Sequence, residues 1–146
     1  MPLAIDDTAA RAQAVEAHLR THLANRNVTP VLKHFTDHSD QELLEGVLTV
    51  VTATESDFKN QRGMIAKEGT TQFLLIAHLK IAETSDQEEL AEAEHTLLSE
   101  LKSAIRQKLP GLSLLLGEIQ FSRQLDHPYG WFVATLDVGP PLASTS

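Results

Sequence analysis

A chain of 146 residues with 42% hydrophobic content can bury one ordinary core, so a single domain is expected over 1–146, with loose ends at 1–5 and 140–146. Its 20 acidic and 12 basic side chains leave a formal charge of −8, which disfavours adhesion to nucleic acid phosphates or to an anionic membrane surface. Having no cysteine, it has no disulfides, no thiolate nucleophile and no cysteine-ligated zinc.

The first residues, 1–7, are short and already acidic, whereas a secretory leader needs a basic start and an apolar run. The longest apolar runs, 73–77 and 112–116, are far shorter than a bilayer span, so a soluble protein is expected. From about Asp7 to Asn25, Ala12, Val15, Leu19 and Leu23 recur at three- and four-residue spacing, with Arg11, Glu16, Arg20 and Arg26 off that face. This predicts an amphipathic helix with Asp6, Asp7 and Thr8 at its amino end. Val28-Thr29-Pro30 ends helical geometry, because a residue before proline is driven towards extended conformations. Residues 31–35 read as a short edge strand or an extended connection, and 37–40 as a turn.

The run 43–54, rich in Val47, Thr49, Val50, Val51 and Thr52, predicts a strand. Its partner at 70–82 alternates cleanly: Phe73, Leu75, Ala77, Leu79 and Ile81 fall on one side, Gln72, His78 and Lys80 on the other. Leu74 and Ile76 make the second side partly apolar, which predicts partial cover by a helix or another subunit. Ser85-Asp86-Gln87-Glu88 has the form of a capping box, in which hydroxyl and carboxylate satisfy orphan amides at a helix start. The helix that follows carries the stripe Leu90, Ala93, Leu97, Leu101, Ala104 and Ile105, with acids including Glu94 early, Lys102, Arg106 and Lys108 late, and Pro110-Gly111 as its stop. Residues 112–116 fit a helical turn or a packed linker. A third strand at 118–124, turn chemistry at 126–130 and a fourth strand at 131–138 form a closing hairpin. The expected architecture is α+β, a mainly antiparallel four-stranded sheet with two helices on one face, in the order α-β-(long loop)-β-α-β-β.

No catalytic constellation emerges, and the chain reads as a non-enzyme without a cofactor. His18/His22 and His34/His38 have helical i, i+4 spacing suited to a shared ion, but neither pair brings a third ligand at defined spacing, so no metal site is expected. The acids from Glu83 to Glu94 follow the helix dipole and read as a solvated helix start. His127-Pro128-Tyr129-Gly130-Trp131 fits a turn that anchors the last strand, or the rim of a ligand pocket. A glycine-rich phosphate cradle and a serine-nucleophile elbow are both missing from the sequence.

The segment 55–69 is too long for a hairpin turn. It mixes Glu55, Asp57 and Glu68 with Lys59, Arg62 and Lys67, and carries Phe58, Met64 and Ile65, apolar groups that a partner can bury. The candidate interface is therefore Asp57, Phe58, Lys59, Arg62, Met64, Ile65 and Lys67.

The order and punctuation of the elements over roughly 5–140 resemble the tail terminator (tail completion) proteins of long-tailed bacteriophages, the minor tail protein U family. The likeness lies in the amino-terminal helix, the strand 45–54, the arm 55–69, the strand 72–82, the helix opening at Ser85-Asp86-Gln87-Glu88 and the hairpin of 118–123 with 131–138. It implies a structural protein of the virion tail, assembled in the bacterial host cytoplasm. The chain would form a homo-hexameric ring on the tail tube protein, monomeric when dilute, and meet the head-tail connector protein. DNA would pass through the ring without specific binding, and there would be no membrane partner. In that setting the arm orders on ring formation, with Phe58, Met64 and Ile65 against a neighbour or the tube. The alternative from the residues alone is a small-ligand-binding or regulatory α+β domain.

Overall fold

The computed structural model describes residues 8–56, 69–123 and 126–140. It is α+β, with helix α1 (Thr8–His22), strand β1 (Asn27–Thr29), a 3-10 turn (Phe35–Asp37), helix α2 (Asp40–Glu45), strands β2 (Val47–Ser56) and β3 (Thr70–Lys80), helix α3 (Gln87–Arg106), and strands β4 (Ser113–Phe121) and β5 (Tyr129–Gly139). The sheet order is β1-β2-β3-β5-β4.

Alternation places one row of each strand under two helices. Leu48 and Val50 of β2, Phe73, Leu75, Ala77 and Leu79 of β3, and Phe132, Ala134, Leu136 and Val138 of β5 form one core with Val15, Leu19 and Leu23 of α1 and Leu90, Leu97, Leu98, Leu101 and Ala104 of α3. Arg26 fastens the α1–β1 turn to α3 through a two-pronged pair with Glu100, at 3.0 and 2.6 Å, and also donates to the Glu45 carbonyl at 2.9 Å.

The expectation of four antiparallel strands and two helices needs three corrections. Val28 and its neighbours form a fifth strand, β1, parallel to β2 with Asn27 opposite Val47 and Thr29 opposite Thr49. Three residues ahead of Pro30 are too few to display a two-residue period, and their pairing comes from the neighbouring strand. Residues 31–35 form no strand. Leu43 and Leu44 belong to the short helix α2, whose N-cap Ser39 accepts from the Glu42 amide at 3.1 Å. Ser39-Asp40-Gln41-Glu42 is the same tetrapeptide as Ser85-Asp86-Gln87-Glu88, and here too it opens a helix. Gly46, with φ of 85°, closes α2 in a backbone conformation that side chains disfavour, and β2 starts immediately after it.

At the second copy of the tetrapeptide the cap moves on by one residue. Asp86 accepts from the Glu89 amide at 2.9 Å, while the Ser85 carbonyl is taken by His127 Nε2 at 2.6 Å. The ambiguous run 112–116 resolves into β4, which starts at Ser113 and carries a bulge between Leu116 and Ile119. The proposed caps Asp6 and Asp7 lie outside the described residues.

Candidate functional site

The seven candidate interface residues, Asp57, Phe58, Lys59, Arg62, Met64, Ile65 and Lys67, lie outside the described residues. What is described is how the two ends of their segment are held. Strands β2 and β3 stay paired out to Ser56 opposite Thr70, past a bulge between Thr52 and Thr54. Arg11, only 2% exposed, donates to the Gly69 carbonyl at 2.5 Å, to Thr71 Oγ1 at 3.0 Å and to the Val138 carbonyl at 3.4 Å. Thr71 Oγ1 donates to Glu55 Oε1 at 3.2 Å, and the Thr8 hydroxyl donates to the same carboxylate oxygen. One buried guanidinium thus ties the first turn of α1 to the far root of the segment and, through Thr71 and Glu55, to the near root. The helical spacing that puts Val15 and Leu19 inside also puts Arg11 inside, contrary to its assignment to the outer face.

The second surface is the sheet face opposite α1 and α3. Thr49, Ile76, Val133 and Gln120 form one cross-strand row, and Val51, Leu74 and Thr135 form the next. Val51, Leu74, Ile76 and Val133 remain half-buried rather than buried. At the sheet edge, Leu115 of β4 is 67% exposed. An edge strand of this length is a pairing surface that isolated proteins tend to blunt. Further along β4 an open groove of about 660 Å³ is lined by Glu118, Ile119, Gln120, Phe121, Ser122, Arg123 and Trp131. It runs beside the hairpin, and its lining mixes charged, polar and apolar groups.

Helix α2 covers one corner of this same face. Leu43 is 1% exposed there, Lys80 of β3 pairs with Asp40 at 3.2 Å, and the rings of His38 and His78 lie 5.8 Å apart. Burial, then repulsion from His38 and from His34, lowers the His78 pKa from its ordinary value of 6.5. The charged groups of the corner are these three histidines, Glu42 on His38, and the Asp40–Lys80 pair. In the fold His78 holds its proton less tightly than in the unfolded chain, so unfolding takes up a proton as the pH drops. His78 therefore contributes stability that is complete above pH 6.5 and is lost as the pH falls through its lowered folded value. Calorimetry from pH 7.5 down to 5 is expected to show a falling Tm, and His78→Gln is expected to flatten that fall; an unchanged slope in the variant would place the titration elsewhere.

Besides Arg11, Glu94 and His18 are also inside. Glu94, 2% exposed, sits on the Leu90–Leu97–Leu101 stripe, where its Oε2 accepts from Ser122 Oγ at 2.6 Å and from the Trp131 amide at 3.0 Å. Strand β4 ends its pairing with β5 at Phe121 opposite Phe132, so the carboxylate serves the amide that lies one residue past the ladder. Gly130 makes room for it: a Cβ there would lie 2.8 Å from Leu90 Cδ1 and 3.0 Å from Glu94 Oε2. The reading of Glu94 as part of a solvated helix start is thereby corrected. His18, 7% exposed, meets the Ala104 carbonyl through Nε2 at 2.8 Å and lies 4.6 Å ring to ring from His22, so its outer-facing nitrogen already has a structural partner.

Among the described residues no three His, Asp or Glu side chains converge as a metal cluster, and no helix is long and apolar enough to cross a membrane. No protein-family model matches the chain, and no curated protein sequence matches it.

Proposed function

We propose that this chain is a structural tail terminator of a phage or prophage, forming a ring, a homo-hexamer on assembly, that caps the tail tube, stops its polymerisation and presents the head-attachment surface. The observation that carries the reading is the held base of the segment 57–68. A paired ribbon reaching Ser56 and Thr70, anchored by buried Arg11, sets both roots of an apolar- and charge-bearing arm at one end of the sheet. Further support comes from the half-buried sheet face of Val51, Leu74, Ile76 and Val133 and from the exposed edge at Leu115, which are the surfaces a neighbouring subunit can bury. In support, α1, β2, β3, α3 and the β4–β5 pair follow one another in the order on which the resemblance rests, with β1 and α2 added between α1 and β2. A net acidic ring lets DNA pass without adhering.

The alternative, a small-ligand-binding domain, has one observation in its favour, the groove beside Trp131. Its open, mixed lining along an edge strand suits a shallow protein contact better than enclosure of a small molecule. Mass photometry and negative-stain imaging, with and without tail tubes from the same genome, test the proposal. Rings that cap the tubes and fix their length are expected. A particle that stays monomeric at high concentration and in the presence of tubes, and leaves tube growth unaltered, would overturn it.

A further inference from the structure

The corner where α2 meets the open sheet face contains two buried imidazole nitrogens with no hydrogen-bond partner, His38 Nε2 and His78 Nδ1. They belong to rings whose centres are 5.8 Å apart and tilted by 43°. The His38 side chain is only 2% exposed, so water does not reach it freely. Buried nitrogens of this kind are rare, because each gives up hydration without replacement.

Glu42 makes the arrangement directional. Its Oε2 lies 3.2 Å from Nδ1 of His38, which stands just ahead of the α2 N-cap Ser39. A carboxylate only accepts, so Nδ1 carries the hydrogen, and in the neutral ring Nε2 is left as a bare lone pair. A carboxylate behind one imidazole nitrogen, with the other nitrogen unprotonated and buried, is the arrangement in which proteins present histidine to a metal ion. The second nitrogen comes from a different element, β3, and the Asp40–Lys80 pair holds the two elements together.

We propose that His38 Nε2 and His78 Nδ1 form a binding site for one divalent ion of the zinc class, with Glu42 orienting His38. Nitrogens at about 2.0–2.1 Å from a tetrahedral ion put two imidazole centres about 5.2 Å apart, close to the 5.8 Å between the rings of His38 and His78. Imidazole suits zinc, copper and nickel and gives little affinity for magnesium or calcium. The site is a two-histidine one, consistent with the lack of a three-ligand cluster among the described residues. An ion there would pin α2 to β3 and so add to the stability of the corner. The inference stands apart from the tail-terminator reading, since neither the ring nor the arm enters it.

Calorimetric titration of the full chain with zinc chloride at pH 7.5 tests the site, with cobalt(II) absorption reporting nitrogen ligation. One ion per chain and a zinc-dependent rise in Tm are expected. His78→Gln and His38→Gln should each weaken binding at least tenfold, Glu42→Gln by about tenfold, and His18→Gln with His22→Gln not at all. Binding should fade below about pH 6.5 as protons compete for the same lone pairs. Circular dichroism of each variant identifies one that has failed to fold, and Glu42→Gln, which alters no ligand, retains the test if a histidine variant does. Absence of zinc binding in the wild-type chain would overturn the proposal. Binding that survives both His38→Gln and His78→Gln would overturn it as well.

Discussion

Phe132→Ala is expected to cost about 3–5 kcal/mol of folding stability, most of what a domain of this size possesses. Phe132 is fully buried near the start of β5, opposite Ala77 of β3 and Phe121 of β4, with its ring 6.0 Å from that of Phe121. It projects into the layer shared with α3, where Leu97 and Leu101 are 1% and 0% exposed. Truncation leaves a void that a sheet held by hydrogen bonds on both sides of the strand cannot collapse to fill, so the loss of transfer energy and the cavity term add. Leu115→Ala supplies the contrast. At 67% exposed on the edge strand, it should stay within about 0.5 kcal/mol of the parent monomer. Urea denaturation with unchanged m-values reads both. Comparable losses in the two variants would mean that the face beyond Leu115 is covered within the monomer, and a loss below about 1 kcal/mol for Phe132→Ala would mean that α3 does not pack on this layer.

Glu94→Ala is expected to cost about 3 kcal/mol, more than any change at an exposed acid of the same helix. The carboxylate is the acceptor for both the Ser122 hydroxyl and the Trp131 amide, and the surrounding side chains, Leu90 and Leu79, offer no substitute. Losing it strips the acceptor from a buried hydroxyl and a half-buried amide at the point where the β4–β5 ladder stops, as well as opening a gap beside Gly130. Glu94→Gln, which keeps one carbonyl oxygen, should recover part of the loss. A double-mutant cycle with Ser122→Ala is expected to show coupling above about 0.5 kcal/mol, because the two side chains share one hydrogen bond. Glu88→Ala, an exposed first-turn position, is the control. Equal effects at Glu88 and Glu94 would show that only helix-dipole charge matters at both sites.

Both results bear on the strands that lead into and out of the segment 57–68. The core beneath Phe132 and the cap at Glu94 keep β3 and β5 rigid, and β3 carries one root of the segment 57–68 while β5 supplies the Val138 carbonyl to Arg11. A stiff sheet that holds the two roots in place reduces the conformational freedom an assembly contact has to remove.

Several elements were legible in the chain itself. The alternation through Phe73, Leu75, Ala77 and Leu79 produced β3 within a residue or two of its bounds, and Leu90, Leu97 and Leu101 with their acidic start produced α3. These are patterns of period 2 and 3.6, and each is complete within one segment. The Ser-Asp-Gln-Glu at 39–42 carries the same cap chemistry, but the helix of six residues that follows it shows less than two turns of periodicity.

The sequence by itself determined the class of the fold, the apolar row of β3 and the net acidic charge, because side-chain alternation and helix caps are set by near neighbours. Tertiary structure alone decided that Arg11 reaches Gly69 and Val138, that Glu94 closes a strand ladder, that Asn27–Thr29 pairs parallel to β2, and that His38 meets His78. Those partners stand between 20 and 127 residues apart in the chain. No local period encodes them: a charged residue on an apolar stripe reads as an exception until the fold brings up the carbonyl, amide or imidazole that it was placed to meet.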